Sequence, residues 1–274
     1  MAWTKITRQQ YRRDGQRYAS DTTATEWLIL SPLLPARART GRPPKWHLRT
    51  IMDAILYILA TGCQWRALPK EFPPFTTVQH YFYDWRDAKV WQRINRLLVE
   101  RARRTAGRKR QPSAGIIDSQ TVKTTESGGP CGFDAGKKIK GRKRHIVTDT
   151  QGSLLAGQVH PANIQDRDGA VPLLRHIALL FPNLRHVFAD RGYRGKKLAA
   201  AIAEFGKWTI EIITRSENPG TFKVQPRRWV VERTLAWLNR SRRLSKDFEK
   251  TIASAEAWLL LASIRVLSRR LARA

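Results

Sequence analysis

The sequence predicts an α/β protein, α+β overall, with a helical N-terminal part followed by a mixed sheet flanked by helices. Two observations carry this. From Glu26 to about Arg103, apolar residues recur at spacings of three and four, the period of an amphipathic helix. From Ala114 onward, short β-branched runs alternate with helical stretches, the order of a sheet whose strands are joined through helices.

Residues 1–22 are polar and basic without period and read as an N-terminal arm. Residues 23–100 form the helical domain, a candidate DNA-binding unit. Leu48, Ile51, Ile55, Ile58 and Leu59 mark one helix, stopped at Thr61-Gly62. Pro69, Pro73 and Pro74 enforce a loop. A second helix, opened by Thr76 or Thr77, carries Val78, Tyr81, Phe82 and Trp85, and a third carries Val90, Trp91, Ile94, Leu97 and Leu98. The stretch from Thr76 to Trp85 has two readings, a recognition helix for a DNA groove or plain core packing.

Residues 101–113 are basic and contain Gly, Pro and Ser, as a linker does. Residues 114–250 hold the sheet. AGIID is a buried strand ending at Asp118. RHIVTD and SLLAGQVH flank Thr150-Gln151-Gly152 as a hairpin. Asp168 to Phe181 is helical, RHVFAD is a fourth strand ending at Asp190, and Lys197 to Phe205 is again helical. WTIEIIT is a fifth strand, and Pro226 precedes a helix from Arg228 to Leu244. Residues 251–274 form a basic amphipathic helix with Trp258, Leu261, Arg265, Arg269 and Arg270. Closing the domain, touching DNA and dimerising are all open to it.

The charge balance selects a partner class. Lys and Arg number 51 against 22 Asp and Glu, a formal charge of +29. Such a surplus suits a polyanion, and each phosphate neutralised adds affinity through counterion release. A membrane fits less well: the apolar run Trp258 to Ala262 is far shorter than the roughly 20 residues that span a bilayer. The N-terminus has no apolar run of the signal-peptide kind. Cys63 and Cys131 are the two cysteines, read as reduced thiols of a cytoplasmic protein. The six histidines show no HExxH pair. The glycine-rich loop fails as a phosphate loop, because Cys131 and Lys138 stand where Gly and Ser or Thr are required.

Three carboxylates fall at informative places. Asp118 ends the first strand, Asp190 ends the fourth, and Glu232 lies on the helix after the fifth. If the first and fourth strands are neighbours, their C-terminal ends bring the two aspartates together and the helix adds the glutamate. Such acids repel unless a cation lies among them, and hard divalent ions such as Mg²⁺ take oxygen ligands. The competing reading makes Asp190 a turn residue and Glu232 the partner of Arg228 in a surface helix pair.

At this point the chain resembles the insertion sequence 5 family of bacterial DDE transposases. The resemblance runs from about Trp27 to Phe248. It rests on the stretch from Trp27 to Pro35, GRPP, TGCQWRALP, FPPFTTVQHYFYDW, IIDSQTVKTTESGG, KIKGRKRHIVTDTQG, VHPANIQDRDGA, ADRGYRG and RRWVVERTLAWLNRSRRLSKDFE. It implies a ribonuclease-H-like catalytic domain with Asp118, Asp190 and Glu232 as catalytic metal ligands. Mg²⁺ is the implied ion, with Mn²⁺ as a substitute. It further implies cutting and joining of DNA at terminal inverted repeats and a target, and a homo-oligomer, a dimer in the synaptic complex.

The Arg that such enzymes carry four residues before the glutamate matches Arg228. The family's Tyr position holds Gln225, and its Lys position holds Asn239 beside Arg240. Candidate DNA contacts are therefore Lys123, Lys140, Arg142, Lys143, Arg144, Arg228 and Arg240. In PANIQDRDG, Asn163, Asp166 and Asp168 read as a helix cap, with Asp166 as an acid near the site the lesser reading. A catalytically inactive or repurposed DNA-binding copy is the alternative function.

Overall fold

The computed structural model describes residues 5, 9, 11–36, 43, 45–126, 128–204, 208–213 and 227–274. The helical part opens with α1 (Ala24–Leu30), where the Thr23 hydroxyl and the Glu26 carboxylate cap each other's backbone N–H groups. α2 (Leu48–Thr61) stops at Gly62, which takes a left-handed φ of 72°. A side chain there would also meet the Arg242 backbone at 3.2 Å. α3 (Phe75–Asp87) starts directly after Pro74 with no side-chain cap, earlier than the Thr76 or Thr77 start read from sequence. α4 (Val90–Thr105) follows, continuing into the basic segment that the sequence suggests as a linker. There Arg103 is buried on Asp149 at 2.6 Å. The segment before α1 is tied down: Arg13 bonds Glu26, and Thr22 bonds Asp53.

The sheet comprises β1 (Ala114–Lys123), β2 (Gly132–Asp134), β3 (Ile139–Asp149), β4 (Leu154–Pro161), β5 (His186–Ala189) and β6 (Thr209–Ile212). Their order is β2-β3-β1-β5-β6, with β4 also pairing β3. β1–β3 and β3–β4 are antiparallel, whereas β1–β5 and β5–β6 are parallel. This is the mixed sheet that the sequence predicts, and the first and fourth of its anticipated strands are indeed neighbours. The short β2, inside the glycine-rich loop, was not legible in the period. Helices α5 (Asp166–Leu180), α6 (Lys196–Ala203) and α7 (Arg228–Leu238) follow β4, β5 and β6. Gln225 and Pro226 lie outside the described residues.

The last helix, α8 (Ile252–Leu271), is capped by the Thr251 hydroxyl. Of the roles open to it, the structure shows core packing. Trp258, Leu261, Ala262 and Ile264 are buried, and the helix lies against α1, α4 and β4. Trp258 stacks on Phe82 of α3 with ring centroids 4.4 Å apart. The residues of α3 that could have marked a recognition helix thus belong to the core: Val78, Phe82 and Trp85 are buried, and Tyr81 packs against them partly buried.

The basic run on β3 departs from expectation. Arg142, Lys143 and Arg144 do not offer a DNA surface; they are 0%, 5% and 2% exposed. The cause is position: β3 is paired on both sides and covered on both faces, so every residue from Gly141 to Asp149 is buried. Buried cations need partners. Arg142 pairs with Asp247 at 3.0 Å and donates to the carbonyls of Pro130 and Glu249. Arg144 donates to the carbonyls of Leu244 and Lys246. Lys143 pairs with Asp166 at 2.9 Å. Lys123 and Lys140, at the same end of the sheet, remain exposed.

Arg142→Ala leaves Asp247 buried without its cation and should cost about 3–5 kcal/mol in urea unfolding. Lys140→Ala should stay within about 0.5 kcal/mol of wild type. Equal midpoints for the two variants would refute the structural role of Arg142.

Candidate active site

The parallel register of β1 and β5 builds the centre of the site. Ile116 lies opposite Phe188, so Asp118 and Asp190 follow two positions on, side by side. β1 continues past Asp118 to Lys123, pairing with β3 there, rather than ending at the acid. Asp190 follows β5 and caps the turn Arg191–Tyr193, its Oδ1 accepting the Gly192 N–H at 2.8 Å. Asp118 Oδ1 accepts the Ser119 N–H at 2.7 Å. Each aspartate therefore has one oxygen committed to the backbone.

Glu232 comes from α7, which packs on β1 and β3. Four residues earlier, at the first position of the same helix, Arg228 reaches both other elements. Its Nη2 lies 3.3 Å from Asp190 Oδ2, and its Nε lies 3.3 Å from Glu232 Oε1. Burial, and then the charges of Asp190 and Glu232, push the Asp118 carboxyl up to about 6, against the Ser119 N–H and the Arg228 charge. The three acids of the sequence reading are thus within electrostatic reach of one another.

Their donor set is all oxygen, which suits a hard divalent cation. As the side chains stand, no three His, Cys, Asp or Glu groups among the described residues are close enough to enclose an ion. The guanidinium of Arg228 bridges Asp190 and Glu232 instead. The donors fit a divalent ion in kind and in placement on the sheet, with Arg228 holding the oxygens that such an ion would use.

A second layer lies behind the acids, and most of it escaped the sequence reading. Asp166 does not cap α5 through its side chain; it is that helix's first residue and accepts from Ser119 Oγ and Lys143 Nζ, each at 2.9 Å. Burial opposes its ionisation, but the bond and charge of Lys143 prevail and hold the carboxyl below its usual range. Behind it, His145 and His160 share a ring-nitrogen contact of 2.7 Å. Burial, followed by the neighbouring His160, pushes His145 down to about 3, so it is neutral at pH 7. Gly169 lets α5 lie on this pair, since a Cβ there would come within 2.5 Å of His160. The buried Tyr193 is raised well above the normal phenol range, first by burial and then by Asp118, Asp166 and Asp190. A second Asp so close to strands of the site was the one available signal.

Of the candidate DNA contacts, Lys123, Lys140 and Arg240 are exposed, Arg228 is bound to the acids, and Arg142, Lys143 and Arg144 are internal.

In metal-free buffer, Asp118 should make stability depend on pH. Between about pH 4 and 6 the folded protein keeps a proton there that the unfolded chain has released. Stability therefore falls as pH rises through that window. Asp118→Asn should remove this part of the fall and be more stable above pH 6, by up to about 3 kcal/mol. Matched urea titrations at pH 4 and pH 7 check this, and a variant no more stable at pH 7 would contradict it.

Comparison with known proteins gives a consistent picture. Residues 109–267 match the family described as "Transposase DDE domain". Residues 23–95 match the family described as "Putative transposase of IS4/5 family". The chain is 35% identical over 167 residues to the "Putative transposase for insertion sequence element IS402" of Burkholderia cepacia, covering 58% of this chain and 76% of that protein. It is 31% identical over 109 residues to the "Insertion element IS402 uncharacterized 16.2 kDa protein" of the same organism, covering 37% of this chain and 72% of that protein.

Proposed function

Because this chain belongs to the DDE-domain transposases of the IS4/5 family, we propose that it cleaves DNA at the ends of an insertion sequence and joins them to a target. The observation that carries this reading is the placement of Asp118 and Asp190 on neighbouring parallel strands, with Glu232 supplied by α7. Asp118, Asp190 and Glu232 would hold Mg²⁺, or Mn²⁺ in its place. An ion held there would supply activation of the attacking oxygen and stabilisation of the leaving one in phosphodiester displacement.

The chain's own groups orient that chemistry. The Ser119 and Gly192 N–H groups fix one oxygen each of Asp118 and Asp190, which aims the remaining oxygens. The bonds from Lys143 and Ser119 to Asp166 hold the start of α5 against β1 and β3. Hydrolysis of a phosphodiester frees a 3′-OH, and the same site then presents that hydroxyl to a target phosphodiester. Lys123 and Lys140 sit together at one end of the sheet, Lys123 pairing with Gly141, and with Arg240 they offer exposed charge to the DNA backbone. A homodimer would bring two inverted-repeat ends together, in the cytoplasm, with no membrane or small-molecule substrate involved. No helix among the described residues is long and apolar enough to cross a membrane.

The direct test compares wild type with Asp118→Asn on a supercoiled plasmid carrying the native element ends, with Mg²⁺ and with EDTA. Wild type should nick or excise at the ends only with Mg²⁺, and the variant should bind DNA but not cut. Cutting by the variant at the wild-type rate would remove Asp118 from the site. Binding by both with cleavage by neither would favour a DNA-binding protein without catalysis.

Replacing both Lys123 and Lys140 by Ala should flatten the slope of log affinity against log salt by about 2 on duplex DNA. An unchanged slope would place the DNA elsewhere.

A further inference from the structure

On the reading of Asp118 and Asp190 as metal ligands, on which this rests, we propose that Asp166 is a positioning residue for the cleavage reaction. Acting through Ser119 and against Gly192, it fixes the two backbone N–H groups that aim the aspartates.

Each aspartate is steered by one nearby N–H. Ser119 donates to Asp118 Oδ1 at 2.7 Å, and Gly192 donates to Asp190 Oδ1 at 2.8 Å. Asp166 meets both residues that supply these donors. Its Oδ1 accepts the Ser119 hydroxyl at 2.9 Å, so the side chain of Ser119 is held while its backbone holds Asp118. Its Oδ2 lies against the turn after β5. A Cβ at Gly192 would come within 3.3 Å of that oxygen and 3.0 Å of Asp190 Oδ1, and glycine leaves the room that the approach needs. One carboxylate from the start of α5 therefore spans the supports of both acids.

Asp166 can serve as a fixed point because it is itself anchored. The Lys143 side chain is 6% exposed, and its Nζ lies 2.9 Å from Asp166 Oδ1. The same ammonium donates to the Ile164 carbonyl at 2.8 Å, just before α5. Oδ1 thus takes an ammonium from β3 and a hydroxyl from β1, and three elements meet at one atom. Neutralising a buried lysine is the plainer role for Asp166, and it needs no hydroxyl at position 119. Groups that orient metal ligands from behind contribute about 10–100-fold to metal affinity. The Ser119 link is what separates the two roles.

The test measures Mn²⁺ affinity of the full-length chain by electron paramagnetic resonance, with the folded fraction checked by circular dichroism. Ser119→Ala should bind Mn²⁺ about tenfold more weakly than wild type. The same substitution should cost as much in an Asp166→Asn background, where an amide oxygen still accepts the hydroxyl. In an Asp166→Ala background it should cost nothing further. That pattern marks a hydroxyl acting together with its acceptor, which an acid that only neutralises Lys143 does not produce. Ser119→Ala binding like wild type would overturn the proposal, and so would equal losses in all three backgrounds. Mn²⁺ binding should be lost in Asp190→Asn. If it is lost there while Ser119→Ala changes nothing, the metal site stands and the positioning role falls. Binding that ignores Asp190→Asn would overturn both. Should Asp166→Ala not fold, combining it with Lys143→Met removes the buried cation along with its partner and supplies the acceptor-free background.

Discussion

The parallel pairing of β1 with β5 is the constraint on which the site depends. Once Ile116 faces Phe188, the two strands deliver Asp118 and Asp190 to adjacent positions whatever else the chain does. Asp118 is then largely withdrawn from water, and its carboxyl rises to about 6 because a buried anion beside other anions is costly. The architecture supplies a cation from outside the sheet. α7 packs across β1 and β3, and its first residue brings a guanidinium to Asp190. Strand pairing creates the electrostatic problem, and helix packing answers it.

A related logic holds the two halves of the molecule together. Part of a large positive charge is used internally, by Arg142, Arg144 and Arg243, on backbone carbonyls that a sheet edge or a loop would otherwise leave to water. Arg142 and Arg144 reach from β3 to the segment between α7 and α8, binding Asp247 and the carbonyls of Leu244, Lys246 and Glu249. From that same segment Arg243 binds Glu249 and donates to the Cys63 carbonyl just after α2. Buried arginines thus link the sheet, the segment before α8 and the helical part, while Trp258 on Phe82 adds an apolar contact across the same boundary. Net charge alone therefore overstates the surface available to DNA.

What the sequence revealed follows from which forces are local. Helices α2 and α4 were legible because burial of one face imposes a period, and Gly62 was legible as a stop because it tolerates a positive φ. Asp118 and Asp190 stood out because short apolar runs lead directly into them. The basic strand was not legible. Three consecutive cations normally mark a solvated surface, and the acceptors that allow burial of Arg142 and Arg144 come largely from some hundred residues later in the chain. Asp166 was misassigned for a similar reason. Near a helix start, an Asp is most simply a cap, whereas its partners Ser119 and Lys143 arrive from two strands. Thr76 and Thr77 lost the helix start to Pro74, whose fixed φ suits the position just before a helical turn.

Arg228 shows where local and tertiary readings meet. Four residues from Glu232, it fits a surface helix pair worth a few tenths of a kcal/mol, and the geometry of that pair is present. The same side chain, however, also bonds Asp190 from the end of β5. A pair that sequence spacing would place on one helix becomes a tie between the helix and the sheet. Its worth can no longer be that of an exposed pair, because it offsets repulsion among carboxylates that the fold has already forced together. Nothing in the spacing of Arg228 and Glu232 distinguishes the two cases. Only the strand order does, by deciding which third carboxylate lies within reach of the guanidinium.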